Sequence, residues 1–101
     1  MRKIEIEMKN AIINRLDKWI NSNTAVFYLS GNESGNPHGS RSEIFLHGNH
    51  IADYWHNTTG LDVDVRTLQQ WPSNTTKSRL RALGANITTK NHVTYLNGVA
   101  I

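Results

Sequence analysis

Histidines are the side chains of this chain best suited to acid–base or metal chemistry, and they lie at His38, His47, His50, His56 and His92. A hairpin turn at Gly48-Asn49 would place His47 opposite His50, with His56 on the same sheet face. Zinc and nickel accept imidazole ligands, so neighbouring histidines are candidates for a metal site. Their spacing matches no compact metal motif. The competing interpretation is surface histidines of a hairpin, and we predict no metal and no cofactor.

Nucleophilic catalysis has little support in the sequence. The chain has no cysteine to act as a nucleophile. Ser42, His56 and Asp53 could form a catalytic triad, but such combinations occur by chance in any chain with several histidines. Asp62 and Asp64 share the outward face of one predicted strand, where carboxylates protect the edge of a sheet. We therefore predict that the protein is not an enzyme.

A set of basic residues is the candidate for nucleic-acid binding: Arg66, Lys77, Arg79 and Arg81. Lys77 and Arg81 lie one helical turn apart, beside Thr and Ser hydroxyls at a predicted helix start, an arrangement that suits phosphate contact. The competing interpretation is a solvated helix face. No zinc finger, ribonucleoprotein motif or convincing helix-turn-helix pair accompanies the set.

The predicted hairpin also has a face rich in residue types that are enriched at protein interfaces. Its aromatic, arginine and histidine side chains are Arg41, Phe45, His47, Tyr54 and His56. We predict that this face binds a partner protein, with a homodimer as one form of that contact. The alternatives are a sheet covered on both faces, and stacking of the aromatic rings on unpaired bases.

Hydrophobic spacing predicts the elements that position these residues. Apolar residues recur every four positions from Ile4 to Ile20 and indicate an amphipathic helix over residues 3–21. Stretches of β-branched, aromatic or alternating residues predict the strands, which lie near residues 24–30, 41–47, 50–56 and 61–66.

The last third of the chain predicts a short helix and a hairpin. Ser73 to Thr76 offer N-cap residues for a helix over 76–83, and residues 86–96 form two short strands around a turn. Strands joined by short turns give an antiparallel sheet of about five or six short strands, with the two helices on one face. The sequence thus predicts an α+β fold in a single domain over residues 1–101.

Composition excludes several classes of protein. A chain of 101 residues can bury one core, and a formal net charge of +3 permits nucleic-acid binding without requiring it. The absence of cysteine excludes a disulfide scaffold, an iron–sulfur cluster and cysteine-ligated zinc. No apolar run approaches the ~18 residues of a membrane span, and we predict neither membrane insertion nor a signal peptide.

Two segments resemble a group of small proteins of tailed bacteriophages. Residues 44–52, Ile-Phe-Leu-His-Gly-Asn-His-Ile-Ala, resemble the group's "VYLHGN-x-IA" segment. Residues 71–83, which begin at Trp71 and contain Thr-Thr-Lys-Ser-Arg-Leu, resemble its "W-x-T-x-TTKSRLNAL" segment. The order of the two segments also fits, whereas Pro72 and Arg81 depart from the pattern.

The resemblance implies a phage origin more than a mechanism. Small phage proteins without a clear enzymatic site are usually accessory or host-takeover factors that occupy a surface of a host protein. By this analogy the resemblance implies a non-catalytic protein that binds and inhibits a host protein in the cytoplasm of the infected bacterium. The favoured case is antidefence, such as anti-CRISPR inhibition. The alternative is a nucleic-acid-binding accessory protein that uses Lys77, Arg79 and Arg81.

Overall fold

Two antiparallel sheets and three helices make up the described part of the chain, residues 2–31, 39–58 and 60–101 of a computed structural model. In chain order the elements are α1 (Lys3–Ile13), β1 (Lys18–Asn21), β2 (Thr24–Leu29), β3 (Arg41–Leu46), β4 (Asn49–Trp55), β5 (Gly60–Val63), α2 (Val65–Gln70), α3 (Asn74–Ala82), β6 (Ile87–Lys90), β7 (Val93–Leu96) and β8 (Val99–Ala100). Strands β1 to β5 form one sheet in sequence order, and β6 to β8 form a second. The predicted α+β class is confirmed. No helix in these ranges is both long and apolar enough to cross a membrane.

The core lies between one face of the five-stranded sheet and the helices. Strands β2, β3 and β4 contribute Val26, Ile44 and Ala52, which are neighbours across the sheet and are fully buried. Met8 of α1 and Leu80 of α3 are also fully buried in this core. Burial of one such large apolar side chain contributes roughly 1.5–3 kcal/mol. Tertiary packing therefore holds these helices, which are too short to be stable alone.

A buried ion pair ties α1 to α3 and β2. Glu5 and Arg79 are only 2% and 3% exposed, and Arg79 Nη1 donates to Glu5 Oε2 at 2.8 Å. Ser78 Oγ donates to the same oxygen at 2.6 Å, and Arg79 Nε donates to Thr24 Oγ1 at 3.1 Å. Burial alone would raise the pKa of Glu5, but hydrogen bonds from Ser78, the Arg2 backbone and Arg79 outweigh it and lower that pKa. These bonds replace the water that both charges lose.

The helix predicted over residues 3–21 is wrong in its second half. α1 ends at Ile13, and Arg15 adopts a left-handed φ of 51°. Residues 18–21 instead form the edge strand β1, which pairs with β2. This pairing satisfies backbone groups and packs Trp19 against the core, so it outweighs the four-residue periodicity.

The turn of the β3–β4 hairpin lies one residue earlier than predicted. His47 and Gly48, rather than Gly48-Asn49, occupy its centre, with the left-handed φ values of 52° and 79° that a type I′ turn requires. Leu46 therefore pairs with Asn49 and not with Ile51. Histidine adopts this backbone conformation more readily than most residues other than glycine.

A shift of register between Ile44 and Phe45 then decides the faces of the hairpin. A turn at Gly48-Asn49 with a regular ladder would pair Asp53 with Ile44 on the core face. Asp53 instead lies opposite Glu43, so its carboxylate is off that face. Tyr54 moves to the core side, where it packs against the buried cluster. One extra residue at a bulge is enough to exchange the faces of the side chains that follow.

The remaining elements differ from the prediction mainly at their ends. β5 is shorter than the strand predicted over 61–66, and Asp64 caps an unpredicted helix, α2. At the start of α3 the Thr76 backbone N–H donates to Ser73 Oγ at 3.1 Å, so this helix begins earlier than predicted. The hairpin over 86–96 consists of β6 and β7, to which β8 adds a third strand.

Loss of one partner of the Glu5–Arg79 pair is expected to destabilise the protein strongly. Glu5→Gln or Arg79→Met leaves the other charge buried without a counter-ion, which typically costs about 3–5 kcal/mol. The double variant Glu5→Leu/Arg79→Met removes both charges and should recover much of this loss. Urea unfolding followed by circular dichroism measures each change in the free energy of unfolding.

Glu7→Gln is the matched control on the same helix, because Glu7 Oε2 accepts an exposed hydrogen bond from Asn21 at 2.7 Å. Exposed contacts of this kind are worth about 1 kcal/mol or less. The effect of Glu5 should also depend on pH, because folding lowers its pKa. The Glu5 carboxylate contributes fully to the free energy of unfolding above its unfolded pKa, and this contribution is lost as the pH falls through the folded pKa. Equal losses in Glu5→Gln and Glu7→Gln would refute the role of the pair.

Candidate functional site

The outer face of the five-stranded sheet, opposite the helix-covered core, is the candidate functional surface. Its side chains lie in three rows that cross the strands. The rows are Ile20, Ala25, Phe45 and His50; Lys18, Phe27, Glu43, Asp53 and Asp62; and Leu29, Arg41, Trp55 and Gly60. We call these residues the outer face.

Aromatic rings and an arginine occupy the centre of the outer face. Phe27 and Phe45 are edge to face with 5.6 Å between ring centroids, and Phe45 and His50 are 5.5 Å apart in the same manner. The guanidinium carbon of Arg41 lies 5.3 Å from the centroid of the Trp55 ring. These distances are typical of aromatic and cation–π pairs. The outer face thus carries half-buried aromatic rings, with the Arg41 guanidinium beside Trp55.

His50 lies between two carboxylates beside this aromatic group. Its Nδ1 is 2.9 Å from Asp64 Oδ2, and its Nε2 is 2.8 Å from Asp53 Oδ1. Burial alone would lower the pKa of His50, but the hydrogen bonds and charges of both aspartates outweigh it and raise that pKa. The bond to His50 in turn lowers the pKa of Asp64, which also accepts the Thr67 N–H at the start of α2. His50 therefore joins β4 to α2 through contacts from both of its ring nitrogens.

Glu43, His50 and Asp53 have donor atoms within 4.8 Å of one another, a spacing that a metal ion can use. Both nitrogens of His50 already have carboxylate partners, and Arg41 Nε lies 3.9 Å from Asp53 Oδ1. A cation would have to displace the proton of His50 and compete with Arg41. We therefore assign the cluster to ion pairing within the protein.

The five residues predicted to bind a partner are divided among three places. Arg41 and Phe45 lie on the outer face. His47 is exposed in the hairpin turn. Tyr54 and His56 are on the core side, in contact with each other at 5.2 Å between ring centroids. The register shift in the hairpin is the reason, since the prediction assumed a regular ladder.

The histidines do not form the hairpin group considered for a metal. His47 is in the turn, His50 is on the outer face and His56 is on the core side. His92 is exposed in the turn between β6 and β7, and His38 lies outside the described residues.

Ser42 and His56 do lie together, with 2.8 Å between Ser42 Oγ and His56 Nε2. Ser42 is 0% exposed, so a substrate has no access to its hydroxyl. Asp53 lies on the opposite face and is bonded to His50, so the triad is not assembled. Burial and the nearby charge of Arg15 lower the pKa of His56. The pair is a packing contact at the end of the β3–β4 hairpin.

The basic residues predicted for phosphate contact do not form one exposed surface. Arg79 is buried in the ion pair with α1. Lys77 is also buried, and its Nζ donates to Thr89 Oγ1 of β6 at 2.8 Å. Arg66 and Arg81 are exposed but lie on different helices. The interpretation of these residues as a solvated helix face is therefore also wrong for Lys77 and Arg79, because β6 contacts Lys77 and α1 contacts Arg79.

Sequence reasoning did not include Phe27 or Trp55 in the candidate surface and did not predict the contact between Asp64 and His50. The bulge that places Trp55 on the outer face has no pattern in the sequence. Asp64 could have been recognised as an N-cap, since Thr67 and Leu68 follow it at helical spacing. Its contact with His50 depends on tertiary structure.

A comparison with protein families matches residues 1–100 to the Kyanoviridae Gp96 protein family. Curated proteins and solved structures give no match to the chain. The family match extends over both sheets and all three helices described above, so it concerns the whole fold and not one segment.

The His50 contacts are expected to make stability depend on pH. Because folding raises the pKa of His50, their contribution is full below the unfolded pKa of ~6.5 and is lost as the pH rises through the folded value. The free energy of unfolding of wild type should therefore fall, relative to His50→Gln, from mildly acidic to alkaline pH. His92→Gln, which changes an exposed histidine, should follow wild type. If the free energy of unfolding changes with pH in the same way for wild type and His50→Gln, a stabilising contact of protonated His50 with Asp53 and Asp64 is ruled out.

Proposed function

The chain belongs to the Kyanoviridae Gp96 protein family, a family of phage proteins, and we propose that it is a non-catalytic accessory protein that binds a host protein. The binding surface in this proposal is the outer face. The observation that carries it is the group of Phe27, Phe45, Arg41 and Trp55 on a sheet face opposite the helix-covered core. The proposed place of action is the cytoplasm of the infected bacterium.

The composition of the outer face supports binding to a protein. Aromatic residues and arginine are enriched at interfaces and often supply most of the binding energy. Arg41 is held by Trp55 at 5.3 Å and by Glu43 at 3.5 Å. A side chain that is already ordered loses less conformational entropy when a partner binds. The outer face is therefore organised before any contact is made.

Charge indicates what kind of partner surface suits the outer face. Glu43, Asp53 and Asp62 are neighbours in one row across β3, β4 and β5. Complementary charges steer association and exclude wrong partners more than they add affinity. Glu43 and Asp53 are already paired with Arg41 and His50, so we expect the partner to place a basic side chain near the exposed Asp62 and apolar side chains over Phe27 and Phe45.

A non-catalytic role agrees with the geometry of the candidate catalytic groups. The hydroxyl of Ser42 is closed to substrates, and the metal-like cluster at His50 is engaged in ion pairs. Phosphate contact through the predicted basic residues, which was the second hypothesis, gains no support, because Lys77 and Arg79 are buried.

We propose that the host target is a bacterial defence complex, such as a CRISPR effector, and that the protein inhibits it. The reason is an analogy at the level of protein class, since small phage accessory proteins commonly act by occupying a host surface. Expression of the chain in a bacterium with active CRISPR immunity should restore plaque formation by a targeted phage. An unchanged plating efficiency across the CRISPR types tested would refute the antidefence case and leave the binding proposal to its own test.

Removal of two outer-face rings is expected to weaken partner capture strongly. The double variant Phe27→Ala/Phe45→Ala should weaken binding about 30-fold or more, as loss of interface hot spots does. Affinity capture from a lysate of host cells, quantified by mass spectrometry, identifies the partner of wild type, and calorimetry with that partner measures the loss.

Ile13→Ala is the control, because Ile13 is 69% exposed on α1, away from the outer face. Both variants are compared with wild type in thermal unfolding, so that a loss of fold is recognised. Equal capture by wild type and the double variant would refute the proposed surface. Sedimentation of purified protein tests the homodimer: a dimer that the double variant disrupts would assign the outer face to a second copy.

A further inference from the structure

A cavity of about 690 Å³ opens where the β3–β4 turn meets the end of α2 and the start of α3. The two segments singled out in the sequence, residues 44–52 and 71–83, supply most of its lining, and α2 supplies the rest. Its volume is in the range of ~300–1,000 Å³ that small-molecule sites occupy. None of the outer-face rings lines it, so it is separate from the surface described above.

We propose that this cavity binds a nucleobase. The buried side chains of Leu46 and Ile51 contribute apolar surface to its lining. Its polar lining consists of amides, hydroxyls and one imidazole, and no Asp, Glu, Lys or Arg side chain contributes. A group that enters such a site is uncharged, partly apolar and able to form hydrogen bonds. A heterocyclic base has all three properties.

Trp71 supplies the stacking surface. Its side chain is 58% exposed, although it lines the cavity together with Pro72. An exposed indole beside an opening offers a flat ring on which any base can stack, since every base has a π-face. Stacking of this kind depends little on base identity, so specificity must come from the polar groups.

Asn49 and Gln70 supply those polar groups from two different elements. Asn49 begins β4 and Gln70 ends α2, and both line the cavity. A carboxamide offers a donor and an acceptor side by side, which is the pattern on the edge of a base. A sugar can also stack on an indole through its C–H face, but its hydroxyl groups do not lie in one plane, whereas the donor and acceptor on a base edge match a carboxamide in its plane, so the two amides favour a base.

Titration of the full chain with single nucleosides tests this proposal. Adenosine, guanosine, cytidine and uridine are added in turn, with maltose as a neutral sugar, and proton–nitrogen NMR reports the shifted residues. At least one nucleoside should saturate the cavity. Trp71→Ala should weaken its binding about 5- to 140-fold, the range for loss of one stacking contact. Trp71→Phe should retain most of the affinity.

Gln70→Ala and Gln69→Ala form a matched pair, because both glutamines are exposed on α2 and only Gln70 lines the cavity. Gln70→Ala should weaken binding, whereas Gln69→Ala should not. No saturation with any nucleoside at millimolar concentration overturns the proposal, as does saturation by maltose alone or equal binding by Trp71→Ala. A single-stranded oligonucleotide identifies the source of the base: tighter binding than the nucleoside indicates a strand, and equal binding indicates a free nucleoside or nucleotide.

Discussion

The buried Glu5–Arg79 contact is the constraint on which the arrangement of helices and sheet depends. It joins two residues 74 positions apart at 2.8 Å, with Thr24 of β2 as a third partner. A charged pair tolerates burial only while its hydrogen bonds are made, so α1 and α3 cannot slide along the sheet without leaving a charge unpaired. Both helices are therefore held on the core side. Arg79 is used for folding, and the outer face lies on the side of the sheet opposite these helices.

The β3–β4 hairpin is the element that serves both proposed sites. Its type I′ turn and the register shift between Ile44 and Phe45 distribute side chains between them. Phe45 and His50 face outward, whereas Leu46 and Ile51 line the cavity at the other side. The His50–Asp64 contact then fixes α2 against β4, so the position of Gln70 at the cavity is coupled to the structure of the outer face.

Several features could be predicted because short-range chemistry determines them. Strong β-formers separated by turn residues identify an antiparallel sheet, and the Ser and Thr residues between positions 73 and 76 indicate that a helix starts there. The first turns of α1 follow the spacing of Ile4, Met8 and Ile12. The candidate site was predicted only in part: Arg41 and Phe45 were placed on one face correctly, while Tyr54 and His56 were placed there by an assumed register.

The sequence by itself determined the α+β class, most of the strands and a helix start somewhere between Ser73 and Thr76, since each depends on residues a few positions apart. The tertiary structure alone decided where α1 ends, which side of the hairpin faces outward and which basic residues are buried. Periodicity reports a local tendency, but β1 gains more by pairing with β2 than by extending a helix. A one-residue bulge in the β3–β4 hairpin exchanges the sheet faces on which the following side chains lie. The burial of Arg79 depends on a glutamate 74 residues away in the chain.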